Sequence, residues 1–121
     1  MTQSSITKHP FDLEDRTLAF AKKIIVFCKK LPQNLINRGL IDQLIRACGS
    51  VGANYREAND ALSKKDFSHR VRITRKEAKE AHYWLQLLEE ANPEFKNEIA
   101  QFLQEALELK KIFSSIAEKS L

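Results

Sequence analysis

"RACGSVGANYREAND", residues 46–60, decides how the chain is read. Cys48, Val51, Tyr55 and Ala58 recur through it at steps of three and four, the spacing of one helix face. Yet two of the chain's three glycines, Gly49 and Gly52, sit in the same stretch. Each costs roughly 0.5–1 kcal/mol against alanine inside a helix. Gly49 and Ala53 are four residues apart, so they stack on one strip of surface, with Gly52 flanking the apolar seam beside them. A strip of very small side chains lets another backbone approach closely. That backbone belongs either to a neighbouring helix of the same chain or to another subunit.

The seam extends upstream through Leu44 to Ile41 and downstream to Leu62, which predicts a helix over residues 36–62. Three more segments carry the same rhythm. Residues 13–30 repeat Leu13, Thr17, Phe20, Ile24, Phe27 and Leu31 behind Asp12, a good N-cap, and Pro32 stops them. A second apolar row, Leu18, Ala21, Ile25 and Cys28, lies alongside. Ser63, with Asp66 at the capping-box position, opens a third helix on the seam Phe67, Val71, Thr74, Ala78, Ala81, Leu85 and Leu88. Asn92-Pro93 reads as N-cap and first residue of a fourth, which carries Ile99, Phe102, Ala106, Leu109 and Phe113. Four helices of similar length, short links and one seam each predict an all-α, antiparallel up-down-up-down four-helix bundle over residues 11–121, preceded by a flexible arm over residues 1–10.

The 121 residues suit one domain, and 43% hydrophobic with 30% charged is an ordinary globular mix. No apolar run is long enough to span a bilayer, and "MTQSSITKHPF" lacks a signal-peptide core, so a cytoplasmic protein without membrane contact is expected. Cys28 and Cys48 fall on apolar faces and are expected to be small buried hydrophobes in a reducing compartment.

Some apolar positions exceed what one stripe per helix requires. Ile73, Glu77 and Trp84 form a shoulder beside the third seam, and Leu103 and Ile112 lie beyond the fourth. This excess, with Gly49, Gly52 and Ala53, points to an interface between copies and so to a homo-oligomer.

The net charge of +4 is unevenly spread. Between Lys64 and Lys79 there are seven Lys/Arg against two acids. Lys64, Lys65, Arg72, Arg75, Lys76 and Lys79 project into one arc, away from the Ile73/Glu77/Trp84 shoulder. Such an arc attracts phosphates, in RNA or DNA. Tyr83 is its only aromatic residue, so backbone contact suits it better than base stacking.

Motifs for catalysis are missing. Asp66 and His69 have metal-pair spacing, but a di-iron bundle needs two Glu-x-x-His pairs and two further inward carboxylates. There is no phosphate loop, zinc spacing or nucleophile elbow. Glu77 and Glu80 sit beside Lys76 and Lys79 as ion partners. A non-enzymatic protein without cofactor or metal is expected.

"LIDQLIRACGSVGANYREANDALSKKDF" (residues 40–67) and "KEAKEAHYWLQLL" (residues 76–88) resemble the 23S rRNA intervening-sequence protein family. The markers are Ile41-Asp42-Gln43-Leu44, the run Ser50 to Asn54, Glu57, Ser63 with Asp66-Phe67, Lys76-Glu77-Ala78 and Tyr83-Trp84-Leu85. Many relatives have glycine soon after the Glu57 position, where this chain has Ala58-Asn59, as one subgroup does. The resemblance implies an all-α bundle that assembles as a ring-like homopentamer in the bacterial cytoplasm. It carries over no catalytic residue. A related branch, the accessory proteins of diversity-generating retroelements, works with a reverse transcriptase and nucleic acid. Two functions fit: an oligomeric nucleic-acid-binding or ribonucleoprotein accessory module, or a structural or protein-interaction scaffold without nucleic-acid affinity.

Overall fold

The computed structural model describes residues 12–120; the predicted arm over residues 1–10 lies outside the described residues. Four helices fill them: α1 (Leu13–Cys28), α2 (Leu35–Asn59), α3 (Lys64–Ala91) and α4 (Lys96–Lys119), with a short 3-10 turn at Pro93–Phe95 before α4. No strand occurs among the described residues.

Three helix starts are built as side-chain caps. The Asp12 carboxylate accepts from the Asp15 amide, Asn34 Oδ1 from the Asn37 amide and Ser63 Oγ from the Asp66 amide. The fourth start differs from the sequence expectation. Asn92 precedes Pro93 but makes no cap bond; its side chain turns into the protein instead. The end of α2 also differs. The helix stops at Asn59, and Leu62, expected on the seam, stands in the following turn 98% exposed.

The four seams converge on one core. Phe20, Ile24 and Phe27 of α1, Leu44 and Val51 of α2, Val71, Leu85 and Leu88 of α3, and Ile99, Leu109 and Phe113 of α4 are all buried. Contacts fix which ends meet. Glu14 accepts from Asn59 Nδ2 at 2.8 Å, joining the start of α1 to the end of α2. Asn37 and Asn92 join the start of α2 to the end of α3. Arg72 donates to the Ala117 carbonyl, joining the start of α3 to the end of α4.

The Asn37–Asn92 contact is a closed polar pair in the interior. Each amide nitrogen donates to the other side chain's oxygen at 2.9 Å. The second hydrogen of each goes to a backbone carbonyl, Pro32 for Asn37 and Leu88 for Asn92. Satisfied on every donor, the pair escapes the penalty of a buried orphan amide and pins the α1–α2 link against the end of α3.

α1 and α4 are held largely by side chains that reach between them. Phe27 meets the ring of Phe102 at 5.3 Å and that of Phe95 edge-on at 6.0 Å. The Arg16 guanidinium forks onto Glu105 at 2.7 and 2.8 Å and reaches Glu108 at 2.9 Å, and Lys30 pairs with Glu98. The hydrogen bond from Arg16 to Glu105 raises the already high pKa of the guanidinium, while those from Gln104 and Arg16 lower that of Glu108.

Candidate nucleic-acid and docking surfaces

The opening stretch resolves residue by residue. A Cβ on Gly52 would lie 3.2 Å from Thr17 Oγ1 and 3.5 Å from Thr17 Cβ, so Gly52 is where α2 passes closely over α1. Thr17 is fully buried, and its hydroxyl donates back to the carbonyls of Leu13 and Glu14 at 2.8 and 3.1 Å. Gly49 is different: nothing lies within 4 Å of where its Cβ would be, and it and Ala53 are exposed. Gly52 therefore serves this chain's own bundle, while the surface at Gly49 and Ala53 is uncovered.

Cys28 and Cys48 are buried and unbridged, as expected. Burial pushes the Cys28 thiol up to about 11 and the Cys48 thiol further, with the nearby Cys28 adding to the latter. Neither thiol is primed for nucleophilic work. Among the described residues, no group of three His, Cys, Asp or Glu side chains gathers to hold a metal ion, and no helix is long and apolar enough to cross a membrane.

The cationic arc of α3 is divided in character. Lys64, Lys65, Lys76 and Lys79 are exposed, whereas Arg72 and Arg75 are half-buried. Arg72 Nε donates to Ser68 Oγ at 3.3 Å and its terminal nitrogen to Ala117 O at 3.4 Å, so it braces the end of α4. Lys76 has one ion partner, Glu80, at 4.0 Å, a separation worth little on a solvated face. Arg70 points out of the arc toward Asp66 at 3.8 Å. The structure adds one cation that residue spacing does not reveal. Lys119, at the end of α4, lines with Lys64, Lys65, Leu62 and Phe67 an open cleft of about 680 Å³. The fold brings it there from 54 residues away in the sequence, beyond the reach of any helical wheel. Tyr83 is 54% exposed, with its ring edge-on to Trp84 at 5.2 Å.

On the shoulder away from the arc, Ile73, Glu77 and Trp84 are all half-buried. Burial is the main cause raising the Glu77 pKa; the neighbouring Glu80 adds to it, and Lys76 opposes it.

Comparison with known proteins agrees with the bundle. A crystal structure of a protein with unknown function from the S23 ribosomal protein family of Bacteroides thetaiotaomicron VPI-5482 superposes with a TM-score of 0.78 at 30% sequence identity, covering 88% of this chain and 98% of that one. No curated protein matches. The family model described as 23S rRNA-intervening sequence protein matches residues 11–115, nearly the whole bundle, and the chain belongs to that family.

Proposed function

We propose that the chain is a non-enzymatic cytoplasmic module, an antiparallel up-down-up-down bundle that assembles as a homo-oligomer, a pentamer by family resemblance, and binds the backbone of RNA or DNA along α3. The observation that carries this is the run of four exposed lysines, Lys64, Lys65, Lys76 and Lys79, on one side of one helix with a single 4.0 Å ion pair among them. Cations left unneutralised by their own chain attract polyanions. Lys119 extends the patch toward the end of the bundle. The family's name connects its members to 23S rRNA intervening sequences and assigns no ligand to this chain. Repetition of the patch around an oligomer raises affinity through multivalency.

Fluorescence anisotropy with labelled single- and double-stranded RNA and DNA across a salt series tests it. Affinity is expected to fall steeply with salt and to depend little on sequence. Because Arg72 also braces α4, the informative variant is Lys65, Lys76 and Lys79 changed together to glutamate. It should abolish binding at unchanged oligomer mass. No binding by the parent at low salt refutes a nucleic-acid function. The interaction scaffold then takes its place, a role favoured by the exposed apolar residues Leu18, Ile25 and Ile45.

A further inference from the structure

Of the second apolar row of α1, Cys28 is buried in the core and Ala21 packs against it, but Leu18 and Ile25 do not reach it. Leu18 and Ile25 remain 39% and 43% exposed, and Ile45 of α2, 37% exposed, lines one cleft with Ile25. Between the two helices run two open clefts. One, of about 520 Å³, is lined by Ile25, Ile41 and Ile45; the other, of about 260 Å³, by Leu18, Ala21, Gly49, Gly52 and Ala53. At about 1.5 Å per residue the groove extends some 18 Å from Ile41 to Ala53. Its rim is cationic. Lys29, Arg38, Arg46 and Arg56 border it against two acids, and both acids are engaged: Asp42 with Arg46, and Glu14 with Asn59 and Arg56. Lys29 and Arg38 have no ion-pair partner among the described residues.

A matching surface lies on α3. Ile73 and Trp84 are half-buried and eleven residues apart, about 17 Å along the helix; Trp84 packs in part against the chain's own core, while Ile73 stands outside it. Between them sit Glu77 and Glu80, two carboxylates on neighbouring turns. Glu80 has only a distant lysine, and Glu77 has no ion pair among the described residues.

We propose that the α1–α2 groove of one chain receives the Ile73–Trp84 shoulder of a second copy, with Arg38 and Arg46 facing Glu77 and Glu80. Length, apolar character and opposite charge favour this occupant over an unrelated partner. The absent side chain at Gly49 admits the incoming helix, which explains a glycine that meets nothing in its own chain. The two patches differ, so the contact is heterologous and propagates head to tail until it closes as a ring. A cation brought beside Glu77 also offsets the burial that disfavours its charge. This proposal rests on the homo-oligomer put forward above.

Sedimentation equilibrium on the full chain separates the outcomes. Changing Arg38 and Arg46 to glutamate, or Glu77 and Glu80 to lysine, should each weaken association about tenfold or more, and the four changes combined in one chain should restore it. Gly49→Trp should block association with helical circular dichroism unchanged, and it decides the question if a charge variant fails to fold. An oligomeric parent whose mass ignores Gly49→Trp, or whose charge reversals do not rescue one another, overturns the groove assignment and leaves the oligomer standing. A parent that is monomeric at every concentration overturns both.

Discussion

Gly49 and Gly52 stand three residues apart in one helix and should respond oppositely to the same substitution. Alanine gains about 0.5–1 kcal/mol over glycine in a helix interior. At Gly49 nothing in the chain itself opposes that gain, because none of its atoms lies within 4 Å of the new Cβ. Gly49→Ala should therefore stabilise the dissociated chain by about 0.5–1 kcal/mol. At Gly52 the same methyl arrives 3.2 Å from Thr17 Oγ1. That oxygen cannot swing aside freely, since its hydroxyl is bonded to two carbonyls of its own helix and Thr17 is fully buried. Yielding means giving up a bond worth about 1 kcal/mol or moving α1 away from α2. Gly52→Ala is expected to be neutral or destabilising by up to about 1 kcal/mol, and Gly52→Leu to cost about 1–3 kcal/mol. The check is a cycle of urea melts at one protein concentration with mass monitored: Gly49→Ala, Gly52→Ala, Thr17→Ala and Thr17→Ala with Gly52→Ala. In the Thr17→Ala background the alanine at position 52 should regain most of its helix preference, a coupling of about 0.5 kcal/mol or more. If Gly52→Ala stabilises as much as Gly49→Ala, the close passage of α2 over Thr17 is not what the glycine is for.

Three further outcomes are expected. Asn92→Leu leaves the Asn37 amide buried without its partner and should cost about 1–3 kcal/mol in urea melts. Asn37→Leu with Asn92→Leu should cost clearly less than the two single changes summed, and strict additivity would count against the pair. Glu77 has a folded-state pKa above its unfolded value, so its ionisation weakens the fold as pH rises through that folded value, and the penalty is absent below the unfolded pKa. In the dissociated chain, Glu77→Gln should thus raise the melting temperature at pH 7, with the difference shrinking toward zero below about pH 4; a constant difference across that range would contradict it. Cys28 and Cys48 should react with a disulfide reagent at pH 8 only as fast as the bundle opens, and at full speed in urea, because burial keeps both as thiols. Prompt labelling of either in the native protein would show that the α1–α2 interface is looser than described.

Much of the bundle was legible because helical period and capping are local. Asp12 and Ser63 cap where their side-chain chemistry places them, and the α3 seam buries Val71, Thr74, Ala78, Ala81, Leu85 and Leu88. Reading failed where a residue's role is set from afar. Asn92 before Pro93 has every local mark of a cap, yet Asn37, 55 residues earlier, offers its side chain a buried partner, and the amide turns inward. Leu62 continues a three-four rhythm, but α2 has already ended at Asn59 and the turn carries it into solvent.

The same distinction governs the surfaces. Wheel geometry finds the α3 lysines because they share one helix, and it misses Lys119 because that residue comes from another. It places Arg72 among the cations without showing that its guanidinium is turned onto the last turn of α4, which removes it from the freely exposed set. The glycines show the limit most plainly. Both cost the helix the same, and both flank one seam, so residue type and period cannot tell them apart. Only the position of α1 does: Gly52 is explained by Thr17 of its own chain, and Gly49 by nothing in it. A helix-weakening residue without a use inside its own fold directs attention to what lies outside, and the cationic apolar groove around Gly49 is where that search leads.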